Sequence, residues 1–71
     1  MKTSIRLKLG KKIKELRKKH GYTQERLSEL AGIDYKYLQR IEGKNPPNLK
    51  LETLEKFAKT FKISLSEFLD L

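Results

Sequence analysis

Apolar side chains recur three and four residues apart from one end of this 71-residue chain to the other. Leu9, Ile13 and Leu16 form one stripe, and Leu27, Leu30 and Ala31 a second. Leu38 with Ile41 makes a third, and Leu51, Leu54, Phe57, Ala58 and Phe61 the longest. Leu65, Phe68 and Leu69 close the series. This is the period of helices that each bury one face. No segment alternates with period two for long, Val is absent and Thr is sparse, so strands are not expected.

The residues between the stripes are punctuation. Gly21, Gly32 and Gly43 each follow a periodic stretch, where glycine accepts the left-handed conformation that ends a helix. Thr23, Asp34 and Ser64 are good N-caps for the second, third and fifth stretches, and Glu67 completes a capping box with Ser64. Tyr22/Leu27, Ile33/Leu38, Leu49/Leu54 and Ile63/Phe68 are apolar pairs five apart. With N-caps at 23, 34, 50 and 64, each pair falls at N′ and N4, the hydrophobic staple that sets the angle at which chain enters helix. Lys50 is the poor cap of the four. The pattern predicts helices over 4–20, 23–31, 34–42, 50–60 and 64–70. The segment 44–49 holds Pro46 and Pro47 and cannot be helix interior. Gly10 sits inside the first helix at a cost of about 1 kcal/mol relative to Ala, which close packing against another helix would explain.

Composition narrows the class. There is no Cys, so disulfides and cysteine-based zinc sites are excluded, and the single histidine, His20, builds neither a metal cluster nor a Ser/His/Asp triad by itself. The apolar residues never run more than two in succession, so neither a transmembrane helix nor a signal-peptide core is expected. The sequence reads as one small domain, 1–71, with no cofactor, metal, membrane or small-molecule ligand expected and a cytoplasmic setting. The net charge is +8. Residues 1–22 carry nine basic side chains against Glu15 alone, whereas residues 23–71 carry eight of each sign, so the whole excess lies in the first third. Such a run is either a solvated basic helix or a field that attracts phosphate.

The second and third stretches are short and joined only by Gly32-Ile33. A turn this tight forces two helices to cross steeply, as in a helix-turn-helix. The second helix of such a pair can enter the major groove of DNA if its outward face is polar. Leu38 and Ile41 point inward, which leaves Tyr35, Lys36, Gln39 and Arg40 on the other side as two i,i+4 pairs. Arg and Lys can donate to guanine O6 and N7, Gln can pair with adenine, and a Tyr ring can press on a thymine methyl. An ordinary solvated helix face is the plainer reading of the same four residues.

Thr23-Gln24-Glu25-Arg26-Leu27, Leu30-Ala31-Gly32-Ile33-Asp34 and Leu38-Gln39-Arg40-Ile41-Glu42-Gly43-Lys44 together resemble the phage-repressor/Cro-type (XRE) helix-turn-helix family. Gly10 through Gly21 resembles its first helix, and Leu51 through Leu69 its fourth and fifth. The resemblance covers roughly residues 9–69, and small restriction–modification controllers and stand-alone phage or plasmid regulators are closest in length. It implies an all-α, five-helix, lambda-repressor-like bundle in a bacterial or phage-encoded, nucleoid-associated protein. It also implies roles. Gln24 matches a phosphate clamp, and Thr23 caps the same helix and touches the same strand. Tyr35, Lys36 and Arg40 match positions that meet base edges, and Gln39 is a secondary candidate for a base edge or the backbone. Lys44 and Asn45 match the loop that touches the opposite backbone. Tyr37 is divided between core and a hydroxyl reaching phosphate. Arg17 and Glu42 match an ion pair bridging the first and third helices, a structural role preferred to DNA contact. Tyr35 and Lys36 depart from the commoner family residues, so base preference does not transfer.

One recognition helix covers too few base pairs for a genomic address, and helix-turn-helix proteins answer this as two-fold dimers on half-sites about 34 Å apart. Phe61, Leu65, Phe68, Leu69 and Leu71 are the candidates for a homodimer face; the alternative is that they finish the core. The expected function is therefore a sequence-specific double-stranded DNA-binding transcriptional regulator, or repressor, reading the major groove with helix 34–42 on a palindromic operator. An antitoxin or other partner-binding module on the same fold is the alternative. RNA or membrane-surface binding through the basic first helix is disfavoured by the absence of strand-borne stacking platforms and of aromatic anchors in that helix. An enzyme is the least expected class.

Overall fold

The computed structural model describes residues 4–71; Lys2, counted above among the basic first third, lies outside the described residues. The described chain forms α1 (Ile5–Lys19), α2 (Gln24–Ala31), α3 (Tyr35–Ile41), α4 (Leu51–Phe61) and α5 (Leu65–Phe68), with no strand among the described residues. It is an all-α bundle with the expected element order. Most helix ends fall within one residue of the sequence reading. The largest difference is α5, which stops at Phe68 because Asp70 N–H turns back to the Glu67 carbonyl at 3.2 Å.

Each start has a local cause. Thr23 Oγ1 accepts from Arg26 N–H at 3.0 Å, Asp34 Oδ2 from Tyr37 N–H at 3.1 Å and Ser64 Oγ from Glu67 N–H at 3.0 Å. Each of these satisfies one of the orphan donors of a first turn. Ser4 caps α1 in the same way, through Arg6 N–H at 3.2 Å. Lys50 makes no side-chain cap for α4.

The turns share one device. After α1, Gly21 N–H donates to the Lys18 carbonyl and Tyr22 N–H to the Arg17 carbonyl, both at 3.0 Å. After α2, Gly32 bonds to Glu29 and Ile33 to Ser28, and after α4, Lys62 bonds to Lys59 and Ile63 to Ala58. Each is a Schellman motif closed by a left-handed residue. Tyr22, Ile33 and Ile63 are the apolar residue that follows it, and all three pack against the core. Each therefore closes one helix and staples the next across a connection of only three or four residues. Gly21 and Gly32 supply the positive φ for the first two turns, +73° and +67°. Lys62 supplies the third at +59°, without glycine's freedom. Lys62→Gly is therefore expected to stabilise the fold by about 0.5–1 kcal/mol, read as a rise in thermal midpoint with unchanged helical content.

Gly43 departs from the sequence reading. Its φ is not positive: α3 ends on Glu42 in right-handed geometry, and Gly43 N–H donates to the Arg40 carbonyl at 3.1 Å. A Cβ there would sit 3.2 Å from the Gln39 carbonyl, a tight contact that a shift of a few tenths of an ångström relieves. Gly10, by contrast, does what its position in α1 required. It is buried, and a Cβ built on it would collide with the backbone carbonyl of Ile41. This contact brings α1 against the last turn of α3.

The core is built from Leu9, Ile13, Leu27, Leu38, Ile41 and Leu54, together with a cluster of Phe57, Phe61 and Phe68 whose ring centroids lie 6.2–6.3 Å apart. Phe61 and Phe68 are 1% and 0% exposed, so they are corrected from candidates for an intersubunit face to members of the protomer's own core. The two rings finish a core that the aliphatic residues of so short a chain do not fill. Two members of the apolar stripes also face outward. Leu51 is exposed in the first turn of α4, and Leu30 is exposed while Ser28 is buried in its place. Ser28 tolerates burial because its Oγ donates to the Glu25 carbonyl at 2.7 Å.

Candidate nucleic-acid interface

Helix α3 is seven residues long, and the bundle holds it by one side only. Leu38 and Ile41 are fully buried and Ile33 packs over them from the preceding turn. That anchoring leaves Tyr35, Lys36, Gln39 and Arg40 exposed together. Their donors and aromatic edge face solvent in the first two turns of the helix, and neither Lys36 nor Arg40 is in a salt bridge among the described residues. Tyr37 is half-buried and packs against the core.

An ion pair fixes the far end of α3. The Glu42 carboxylate accepts from Arg17 Nε at 2.9 Å and from Arg17 Nη2 at 3.0 Å, a two-point fork across α1 and α3. Arg17 Nη1 donates to the Tyr22 carbonyl at 2.9 Å, which ties the α1–α2 turn into the same network. The side chains are 12% and 3% exposed, so the pair is largely desolvated. Gln24 Nε2 also donates to Glu42, at 3.1 Å. The first residue of α2 is thereby held beside the C-terminal end of α3, with its side chain half-buried and one amide N–H committed inside the protein. Thr23 stays exposed, with its hydroxyl on the α2 cap.

The loop after α3 extends this surface. Arg40, Lys44 and Asn45 line one depression of about 330 Å3, with Pro46 and Pro47 as its apolar wall. Arg6 and Ser4, from the start of α1, line it too. Sequence reasoning did not single out Arg6. Its only signal in the sequence is membership of a basic run, and the Gly10 contact is what carries that end of α1 to the loop. The surface so assembled offers α3 side chains in front and cationic groups at its edge.

The remaining candidates lie elsewhere. Leu65 is half-buried against the core, while Leu69 and Leu71 are 40% and 45% exposed. His20 caps the C-terminal end of α1 and lies against Tyr22 and Phe61, with centroids 5.4 Å from each ring. Among the described residues no helix is long and apolar enough to cross a membrane, and no group of three or more His, Cys, Asp or Glu is placed to hold a metal ion.

Comparison with known proteins agrees with this geometry. The model of the family described as Helix-turn-helix (HTH_3) matches residues 13–68. The HTH-type transcriptional regulator SinR of Bacillus subtilis is 36% identical over 62 residues, which are 87% of this chain and 56% of SinR. The chain thus spans about half the length of that relative. The restriction-modification controller protein C.AhdI of Aeromonas hydrophila superposes with a TM-score of 0.81 at 32% identity, over 89% of this chain and 94% of that one. The protein C.Esp1396I, bound to a 19 base pair DNA duplex, superposes with a TM-score of 0.84 at 31% identity, over 96% of this chain and 89% of its own. With a family match over residues 13–68 and superposition of most of the chain on these structures, this chain belongs to the XRE-type helix-turn-helix family.

Proposed function

We propose that this protein is a sequence-specific double-stranded DNA-binding transcriptional regulator that reads the major groove with α3. The observation that carries the reading is the one-sided anchoring of α3: Leu38 and Ile41 are sealed in the core, and Tyr35, Lys36, Gln39 and Arg40 stand free on its outer face. The relatives support it, since SinR is named a transcriptional regulator and C.Esp1396I is bound to duplex DNA. Tyr35, Lys36 and Arg40 meet base edges, with Gln39 beside them. Thr23, Gln24 and the Tyr37 hydroxyl approach one phosphate strand, and Lys44 and Asn45 the other. The protein acts by occupancy of an operator in the cytoplasm, without cofactor or catalysis. Arg40→Ala is expected to relax base preference at one position at a cost of roughly 1–3 kcal/mol, whereas Lys44→Ala weakens all sequences alike and makes the salt dependence shallower. Fluorescence anisotropy on matched and single-mismatch duplexes separates the two. Equal losses on every duplex for both variants would remove α3 as the reading element.

The same reading includes a homodimer on a palindromic site. Its support is the apolar surface that remains after the core is complete. Leu69 and Leu71, just past the end of α5, border a groove of about 250 Å3 that Leu9, Pro46, Pro47 and Leu49 also line, and half-buried Leu65 is the first residue of α5. Sedimentation at tens of micromolar is expected to show the dimer, and Leu69→Asp to yield folded monomer.

A further inference from the structure

Four basic residues in the first half of α1 line two different depressions. Lys8, Lys11 and Lys12 line a depression of about 300 Å3 that also contains Glu15 and Asp70, and Lys12 Nζ donates to the Asp70 carbonyl at 3.2 Å. Lys12 thus has a polar partner within the protein, and Lys8 and Lys11 share their depression with two carboxylates. Arg6 is placed differently. It shares its depression with Arg40 and Lys44, and no Asp or Glu is among the lining residues. None of the three cations is in a salt bridge among the described residues. Ser4, the N-cap of α1, lines the same depression, and the first turn of that helix holds no acidic residue. The positive end of a fifteen-residue helix dipole therefore adds to three like charges. Three cations in one depression repel one another, and an anion placed among them relieves that repulsion.

We propose that Arg6 is a further DNA-contact residue, which together with Lys44 binds one backbone phosphate of the duplex at the edge of the α3 face. The proposal rests on the DNA-binding reading above and deepens it by joining the start of α1 to the loop after α3 in one phosphate site. Arg40 lines the same depression and belongs to α3, so the anion held there also sets the position of the duplex against the base-reading helix. A phosphodiester is the ligand class that fits, because the lining supplies donors and positive charge with an apolar Pro46-Pro47 wall and no carboxylate.

The test is a titration of a duplex selected by the wild-type protein, and of a scrambled duplex, at a series of KCl concentrations. Wild type, Arg6→Ala, Arg6→Lys and Lys8→Ala are compared by fluorescence anisotropy, with thermal unfolding of each. The expected result is that Arg6→Ala binds both duplexes several-fold more weakly, keeps its sequence preference and thermal midpoint, and has a log K against log salt slope shallower by up to about 0.9, the value for one whole phosphate, because Lys44 stays on the shared phosphate. Arg6→Lys and Lys8→Ala keep the wild-type slope. If Arg6→Ala has the slope and affinity of Lys8→Ala while the wild type binds its selected duplex, the Arg6 assignment falls and the function proposed above stands. If the wild type prefers no duplex at low salt, both fall together.

Discussion

Glu42→Ala is expected to lower the stability of the protein by roughly 3–5 kcal/mol, the cost of breaking a buried ion pair on one side. The Glu42 side chain is 3% exposed and accepts three hydrogen bonds, two from Arg17 and one from Gln24. Its removal leaves a guanidinium that is 12% exposed with only the Tyr22 carbonyl as partner. A domain of this size has only about 3–5 kcal/mol to lose, so the variant is expected to be largely unfolded at 25 °C by circular dichroism. The double variant Arg17→Met/Glu42→Leu should recover much of that loss, because it removes both charges and fills the space with apolar side chains. A loss below about 1 kcal/mol, the range of an exposed pair, would show that the network is solvated and that α1 and α3 are held by packing alone.

Gly10→Ala is the second large effect. On helix propensity alone the substitution gains about 1 kcal/mol. The collision of the new Cβ with the Ile41 carbonyl reverses the sign, because the obstacle is backbone in the last turn of α3 and cannot rotate away. Overpacking of this kind costs typically about 1–3 kcal/mol, and more where the neighbour is rigid. A net destabilisation of about 2 kcal/mol or more is expected, which corresponds to a fall in thermal midpoint of roughly 8 °C or more for a domain this small. DNA affinity should fall further than stability alone explains, since the shift moves the turn that carries Arg40 and separates Arg6 from Lys44. Chemical denaturation and anisotropy on the same preparation measure the two losses. A variant more stable than wild type would mean that α1 and α3 do not pack through this contact.

Much of the fold was legible because its determinants are local. The caps at Thr23, Asp34 and Ser64, the left-handed turns at Gly21 and Gly32 and the staples at Tyr22, Ile33 and Ile63 are each written within a few residues. What could not be read is tertiary. Periodicity cannot say how far round a helix the buried face extends, so Ser28 and Leu30 exchange places. It also cannot apportion a surplus of apolar residues in the last two helices: Phe61 and Phe68 fill the protomer's own centre, and Leu69 and Leu71 remain on the surface. Gly43 reads as a left-handed terminator like the two glycines before it, but its φ is not positive, because α3 closes through right-handed Glu42. Of the site, the α3 face was legible because Leu38 and Ile41 fix its inward side. The tie from Gln24 to Glu42 joins residues 18 positions apart, and the neighbourhood of Arg6 with Lys44 joins two ends of the bundle; neither is a sequence pattern.

The most direct measurement is selection of binding sites from a pool of random duplex DNA at low ionic strength, carried out in parallel with the wild-type protein and Arg40→Ala. The predicted result is an enriched site with two-fold symmetry, half-sites about one helical turn apart, and loss of preference at one position per half-site in the variant. A pool that returns no enriched sequence, or the same motif unchanged with Arg40→Ala, Lys36→Ala and Tyr35→Ala alike, would contradict the assignment of α3 as the element that reads DNA.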